Sequence, residues 1–171
     1  ELTEALKLAE YTKQTQGYMY MVHLSSGKTL EALIHNYPDI LNKHFFVESC
    51  PQYFTFTEDA LKRKDGFLYT FAPPLRTEQE RQLLLKYHDA IYTIGTDHCA
   101  FMKKDKMKPT LHETPLGIGG IEHALGIMRY HLNDEAIEKM TKPRLFVRFL
   151  KHSLSRLQFH HFLIILKLNH F

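Results

Sequence analysis

Cysteine is scarce in this chain, long apolar runs are missing, and acidic residues stop at Glu138. Each shortage excludes something. The two cysteines, Cys50 and Cys99, form neither a CxxC pair nor a zinc-ribbon spacing, so a disulfide-stapled or cysteine-ligated scaffold is not expected. Two isolated thiols fit a reducing, cytoplasmic setting, and their simplest reading is as unpaired groups near strand ends. No apolar run approaches the roughly 20 residues that span a bilayer; the stretch from Phe162 to Leu166 is short and flanked by His160, His161 and Lys167. No leader is evident, because Glu1 opens directly into a polar helical pattern. The chain does not begin with Met, so its start is expected to lie upstream.

Charge is divided unevenly. Residues 1–138 carry 15 Lys/Arg against 19 Asp/Glu, a net of −4, whereas residues 139–171 carry 7 Lys/Arg and no acid, a net of +7. The overall +3 is therefore a property of the tail. A mildly acidic body argues against nucleic acid or an anionic membrane as partner. At 44% hydrophobic and 24% charged residues, the composition is that of a globular domain with a core.

Strand and helix patterns alternate along the body. Leu2, Ala5, Leu6 and Ala9 recur at helical spacing up to about Gln16, with Gly17 as the stop. Tyr18 to Leu24 reads as a strand buried on both faces, and a helix follows from Lys28 to Asn36. His44 to Glu48 is a second strand. Thr57 is an N-cap candidate ahead of two acids, and Thr77 another, for a helix reaching about His88. Ala90 to Gly95 is a third strand, ending in Thr96-Asp97-His98-Cys99. Lys103, Lys104, Lys106 and Lys108 read as a solvated loop. Helical patterns resume over Gly120 to Leu132 and Asp134 to Thr141. Alternation of this kind predicts an α/β fold of parallel βαβ units.

In such folds ligands sit at the carboxyl ends of the strands, and there lie His23, Glu48, Cys50, Asp97, His98 and Cys99. A lone strand histidine reads either as a hydrogen-bonded core residue or as a ligand. Asp97 directly after a buried strand would cost desolvation energy unless it met a cation, donors or water. Together the two could share a divalent metal, since zinc takes both nitrogen and carboxylate oxygen; the carboxylate could then take a proton from a bound water. Glu48 reads as a structural hydrogen-bonding group. Gly117, Gly119 and Gly120 do not make a dinucleotide loop, because no strand precedes them and position 122 is Glu.

Four ordered segments resemble the dihydropyrimidinase/hydantoinase family of the amidohydrolase superfamily. They are Val22-His-Leu-Ser-Ser26, Glu48-Ser-Cys-Pro-Gln-Tyr53 with Ala72-Pro-Pro-Leu-Arg76, Ile94-Gly-Thr-Asp-His-Cys99, and Pro115-Leu-Gly-Ile-Gly-Gly-Ile-Glu122. The resemblance implies a partial (β/α)₈ TIM-type barrel over residues 1–141, covering about strands six to eight. It also implies metal-dependent hydrolysis of the amide bond in a dihydropyrimidine or hydantoin. His23 takes the place of a ligand in a binuclear, zinc-type centre. Asp97 takes the place of the aspartate that binds metal and shuttles the proton. Ala72, Pro73, Leu116 and Gly117 fall in the segments that hold the cyclic amide through main-chain groups, although Ala72 stands where hydantoinases usually have Ser and Leu116 where they usually have Asn. His98 and Cys99 would orient Asp97 from beside it, or merely line the mouth.

The family's other ligands, a His-x-His, a carboxylated Lys and a further His, have no counterpart in this sequence. The expectation is an inactive fragment of an active, cytoplasmic, homo-oligomeric parent, with open strand edges that favour aggregation. Dihydroorotase and allantoinase are sister chemistries. A non-catalytic dihydropyrimidinase-like scaffold is the rival class, against which His23 and Asp97 both speak; a gene remnant is another. Residues 142–171 form an atypical basic tail. It is read as frame-shifted or divergent, with an amphipathic membrane or partner helix as the alternative.

Overall fold

The computed structural model describes residues 1–141, and the expectations for the 142–171 tail lie outside the described residues. Three short strands lie side by side in chain order, all parallel: β1 (Met19–Met21), β2 (Phe45–Ser49) and β3 (Thr93–Ile94). Met19 pairs with Phe45 and Met21 with Val47 across one seam, Glu48 with Thr93 and Ser49 with Ile94 across the other. Helices fill the crossovers, as a parallel pair requires. α2 (Gly27–Asn36) joins β1 to β2, and α3 (Pro51–Thr55) and α4 (Glu78–Lys86) lie between β2 and β3; α1 (Leu2–Thr15) precedes β1, and α5 (Lys103–Lys106), α6 (Ala124–His131) and α7 (Asp134–Thr141) follow β3.

Burial follows position in the sheet. On β2, Phe45, Phe46, Val47 and Ser49 are all buried, the two-sided burial expected of a central parallel strand. β1 and β3 are only half-buried throughout, because among the described residues each has a strand on one side alone. The sequence pattern predicts two-sided burial for Tyr18 to Leu24, whereas in the structure it is β2 that has it. Leu30 and Leu33 of α2, Leu84 of α4, Phe54 of α3 and Ile91 pack with β2 in one core.

Several boundaries differ from the sequence-based reading, each for a local reason. The left-handed residue closing α1 is Gln16 (φ 53°), not Gly17. The strand expected over Tyr18 to Leu24 shrinks to Met19–Met21, because His23 turns left-handed (φ 42°). The third strand, expected from Ala90, is only Thr93–Ile94, although Tyr92 N–H still bonds Val47 O at 2.8 Å and Gly95 N–H bonds Ser49 O at 3.0 Å. Thr57 makes no side-chain cap, and the segment it heads is a 3₁₀ turn, Glu58–Lys62. Thr77 does cap α4, accepting from Glu80 N–H. α6 begins at Ala124 rather than Gly120.

The turn into α2 is built from polar groups. Ser26 Oγ accepts from Thr29 N–H at 3.1 Å as the N-cap and donates to Glu80 at 2.7 Å. Glu1 accepts from the backbone N–H groups of Ser25 and Ser26, both at 3.0 Å, and is bridged at 3.1 Å by Arg76. This ties the start of α1, the end of β1 and the approach to α4 into one corner beside the carboxyl end of the sheet.

With the outer edges of β1 and β3 carrying no neighbouring strand among the described residues, unpaired backbone groups face outward and invite pairing with another copy. The isolated 171-residue chain is expected to elute as oligomers or aggregates on size exclusion. A sharp monomer peak with a cooperative melt would show that the edges are covered.

Candidate active site

At the carboxyl end of β1, the chain leaves the sheet through His23; at the carboxyl end of β3 it leaves through Asp97. Both adopt left-handed backbone, φ 42° and 44°. Between them, Glu48 near the end of β2 accepts a hydrogen bond from Tyr20 of β1, whose hydroxyl also lies 2.7 Å from Thr93 Oγ1 of β3. His23 N–H reaches Glu48 Oε1 at 3.4 Å. Gly95 makes room for this carboxylate, since a Cβ there would come within 2.5 Å of the Glu48 carboxyl carbon. Burial, followed by the hydrogen bond to Glu48, pushes the Tyr20 hydroxyl well above the ordinary tyrosine value. Glu48 thus plays the structural hydrogen-bonding part read from the sequence, across all three strands.

The two candidate ligands differ in environment. His23 is half-buried, and its Nδ1 is fully buried with no hydrogen-bond partner. A buried ring nitrogen without a partner is an unmet donor or acceptor, and it is the right kind of atom for a metal. Asp97 is exposed, so the desolvation argument raised for it from the sequence does not operate among the described residues. Its charge is still felt at β2: burial first, then the Glu48 and Asp97 carboxylates, push the Cys50 thiol up. Burial first, with Cys50 and Asp97 adding to it, raises the Tyr53 hydroxyl as well. Cys50 is buried and Cys99 exposed, and both are free thiols.

Among the described residues, no group of three or more His, Cys, Asp or Glu side chains is placed to hold a metal ion. A catalytic zinc normally takes about three protein ligands. His23 and Asp97 therefore fit such a centre in kind and fall short of it in number.

The loop residues come together more fully. Residues 97–99 run beside the loop 116–121: Cys99 N–H bonds Ile118 O at 3.0 Å, and His98 Nδ1 accepts from Gly120 N–H at 3.1 Å and Ile121 N–H at 3.4 Å. His98 Nδ1 thus binds the loop backbone. Gly117 is wedged against Cys99; a Cβ there would lie 2.5 Å from the Cys99 carbonyl oxygen. On its other side, Gly117 N–H bonds Thr70 O at 3.1 Å, bringing the segment before Ala72 and Pro73 alongside. Ala72 and Leu116 are exposed, Pro73 is half-buried and Gly117 is buried. Tyr53 donates to the Pro73 carbonyl at 2.9 Å, so one lone pair of that oxygen is already in use.

One residue of this cluster escaped the sequence reading. Lys106 is not in a solvated loop: it ends α5 with 3% of its surface exposed. Its ammonium donates to Leu68 O at 3.2 Å, Thr70 O at 2.8 Å and Gly117 O at 2.6 Å. Burial pushes it below the ordinary lysine value. Nothing in a run of four nearby lysines distinguishes this one by spacing.

Comparison with known proteins accords with this architecture. No family model matches the chain. It is 29% identical over 140 residues to a D-hydantoinase from Rhizobium radiobacter, covering 78% of this chain and 30% of that protein. It is 30% identical over 134 residues to a D-phenylhydantoinase from Escherichia coli, covering 72% and 29%. Among solved structures, a D-hydantoinase (dihydropyrimidinase) from Thermus sp. superposes with a TM-score of 0.70 at 25% identity, covering 80% of this chain and 32% of that one. The chain spans about 30% of the length of the curated relatives it matches. Over that stretch, the chain is similar to hydantoinases and a dihydropyrimidinase, in line with the resemblance carried by its four sequence segments.

Proposed function

We propose that these residues are part of the active face of a cyclic amidohydrolase that opens the amide bond of a dihydropyrimidine or hydantoin ring. The observation that carries the reading is the pair of left-handed residues, His23 and Asp97, at the carboxyl ends of two strands of one parallel sheet. Backbone held in a sparsely populated region costs about 1–3 kcal/mol and concentrates at functional sites. The strand ends are also where this class of fold does its chemistry.

In this reading the three strands are the sixth to eighth of a (β/α)₈ barrel, and residues 1–141 are the barrel part of the chain. His23 offers its unpartnered nitrogen as a ligand to a divalent metal, zinc by donor type, and Asp97 is the second ligand. The Asp97 carboxylate accepts the proton of the attacking water and returns it to the departing ring nitrogen. Backbone groups of Ala72, Pro73 and Leu116 hold the ring, Gly117 positions Leu116 through its own bonds to Thr70 and Lys106, and Cys99 lines the mouth beside Asp97. The remaining ligands come from outside these 171 residues, so the chain alone does not turn over. The complete enzyme would be cytoplasmic and homo-oligomeric; among the described residues, no helix is long and apolar enough to cross a membrane.

The test assays the 171-residue chain and the product of its whole reading frame side by side, with hydantoin and dihydrouracil and added zinc. Ring opening is expected only from the longer product. Turnover by the 171-residue chain would refute the incomplete-site reading. A longer product that opens neither ring would refute the function.

A further inference from the structure

We infer that Lys106 is a positioning residue, a buried ammonium clamp that sets the distance between the two loops that hold the cyclic ring. The identity of those loops rests on the proposed function; the clamp itself does not. Of the lysines at positions 103, 104, 106 and 108, only Lys106 is buried. Its three N–H bonds find three carbonyl oxygens, two from the segment that leads into Ala72-Pro73 and one from Gly117. An ammonium taken out of water is costly unless its protons are satisfied, and here they are satisfied by the backbone of two separate loops. The bond from Gly117 N–H to Thr70 O at 3.1 Å runs parallel to the clamp, and Thr70 O takes part in both.

The surroundings explain why one side chain can set the spacing. Two of the three acceptors lie outside any strand or helix: Thr70 directly follows the short 3₁₀ turn Gly66–Tyr69 that contains Leu68, and Gly117 lies between α5 and α6. Lacking a ladder of its own, each loop depends on cross-links. Cys99 stops Gly117 from the β3 side, where a Cβ would already be 2.5 Å from the Cys99 carbonyl oxygen. Lys106 holds it from the other side. Leu116, adjacent to the clamp, and Ala72, two residues beyond Thr70, are thereby held in fixed relation to each other and to the Asp97 segment. Substitution by Met keeps the length and removes the donors, which strands carbonyl groups that had partners.

Lys106→Met is the direct test, read by amide hydrogen exchange and by kinetics, both in the product of the whole reading frame. Exchange at Gly117 N–H is expected to speed up about tenfold or more, while Tyr92 N–H, bonded to Val47 O in the core, keeps its protection. With hydantoin, KM is expected to rise about tenfold with little change in kcat, the pattern of lost substrate positioning. Should Lys106→Met fail to fold, Lys106→Arg serves. Its planar fork cannot meet three oxygens grouped around one nitrogen, so a smaller rise at the same amide is expected. Unchanged Gly117 exchange in either folded variant overturns the clamp. Lost protection with an unchanged KM overturns the positioning role. Lost protection in a protein that opens no ring leaves the clamp standing and refutes the function proposal alone.

Discussion

Gly27→Ala is expected to lower the stability of the fold sharply. Gly27 is the first residue of α2 and packs against α4. A Cβ there would lie 2.1 Å from the Glu80 carbonyl oxygen, 2.5 Å from Leu83 Cβ and 3.0 Å from Leu84 N. Two of those atoms are helix backbone, so α4 must retreat as a body. Retreat withdraws Leu84, fully buried in the core, from Leu30 and Leu33. It also stretches the bonds that the Glu80 carboxylate accepts from Ser26 Oγ at 2.7 Å and from Lys28 N–H at 2.9 Å. Overpacking of this kind costs about 1–3 kcal/mol and sometimes more; with rigid backbone as the obstacle, the cost belongs at about 3 kcal/mol or above.

The measurement is the guanidinium midpoint followed by helical circular dichroism. Gly126→Ala supplies the contrast, because nothing lies within 4 Å of a Cβ built at that position in α6. There the change should stabilise by about 0.5–1 kcal/mol, the usual gain of Ala over Gly inside a helix. Equal midpoints for the two variants would mean that α2 and α4 do not meet as described.

What could be read from the sequence divides along a physical line. The alternation of apolar strands with amphipathic helices carried the parallel order, and Thr77 was legible as a cap because its bond closes over three residues, although the same local signal at Thr57 yields no side-chain cap. Signals that depend on a distant partner were not legible. Strand ends were overestimated because the apolar run Tyr18 to Leu24 continues past the point where His23 turns left-handed. The two-sided burial read for Tyr18 to Leu24 does not hold for β1, since burial of an edge strand depends on neighbours that the local pattern does not contain. Lys106 was missed for the same reason, as its acceptors lie at residues 68, 70 and 117. His98 was legible as a neighbour of Asp97, yet its ring engages Gly120 and Ile121, a contact that only the folded loop creates. For the proposed site, the sequence offers His23 and Asp97 only by their place at strand ends, and the shared backbone conformation adds a constraint no spacing argument contains.

That constraint makes Asp97→Asn the most informative substitution at the site. In the product of the whole reading frame, it is expected to reduce the rate of hydantoin ring opening about 10²- to 10⁴-fold, the range of general acid–base contributions. Asn is nearly isosteric with Asp, and it is among the few residues that enter the left-handed region readily. The backbone at φ 44° is therefore kept. Because Asp97 is exposed, no buried polar group is orphaned by the change, and the unfolding midpoint should stay within about 0.5 kcal/mol of the parent, as for most surface substitutions. Asp97→Val separates the two effects. It loses the carboxylate in the same way but also forces a β-branched residue into left-handed backbone, at an added cost of about 1–2 kcal/mol in stability. Activity lost equally in both variants, with stability lost only in Val, would assign the carboxylate to chemistry and the backbone turn to its aim. Activity retained in Asn would remove Asp97 from the reaction and leave the turn as a purely structural end to β3.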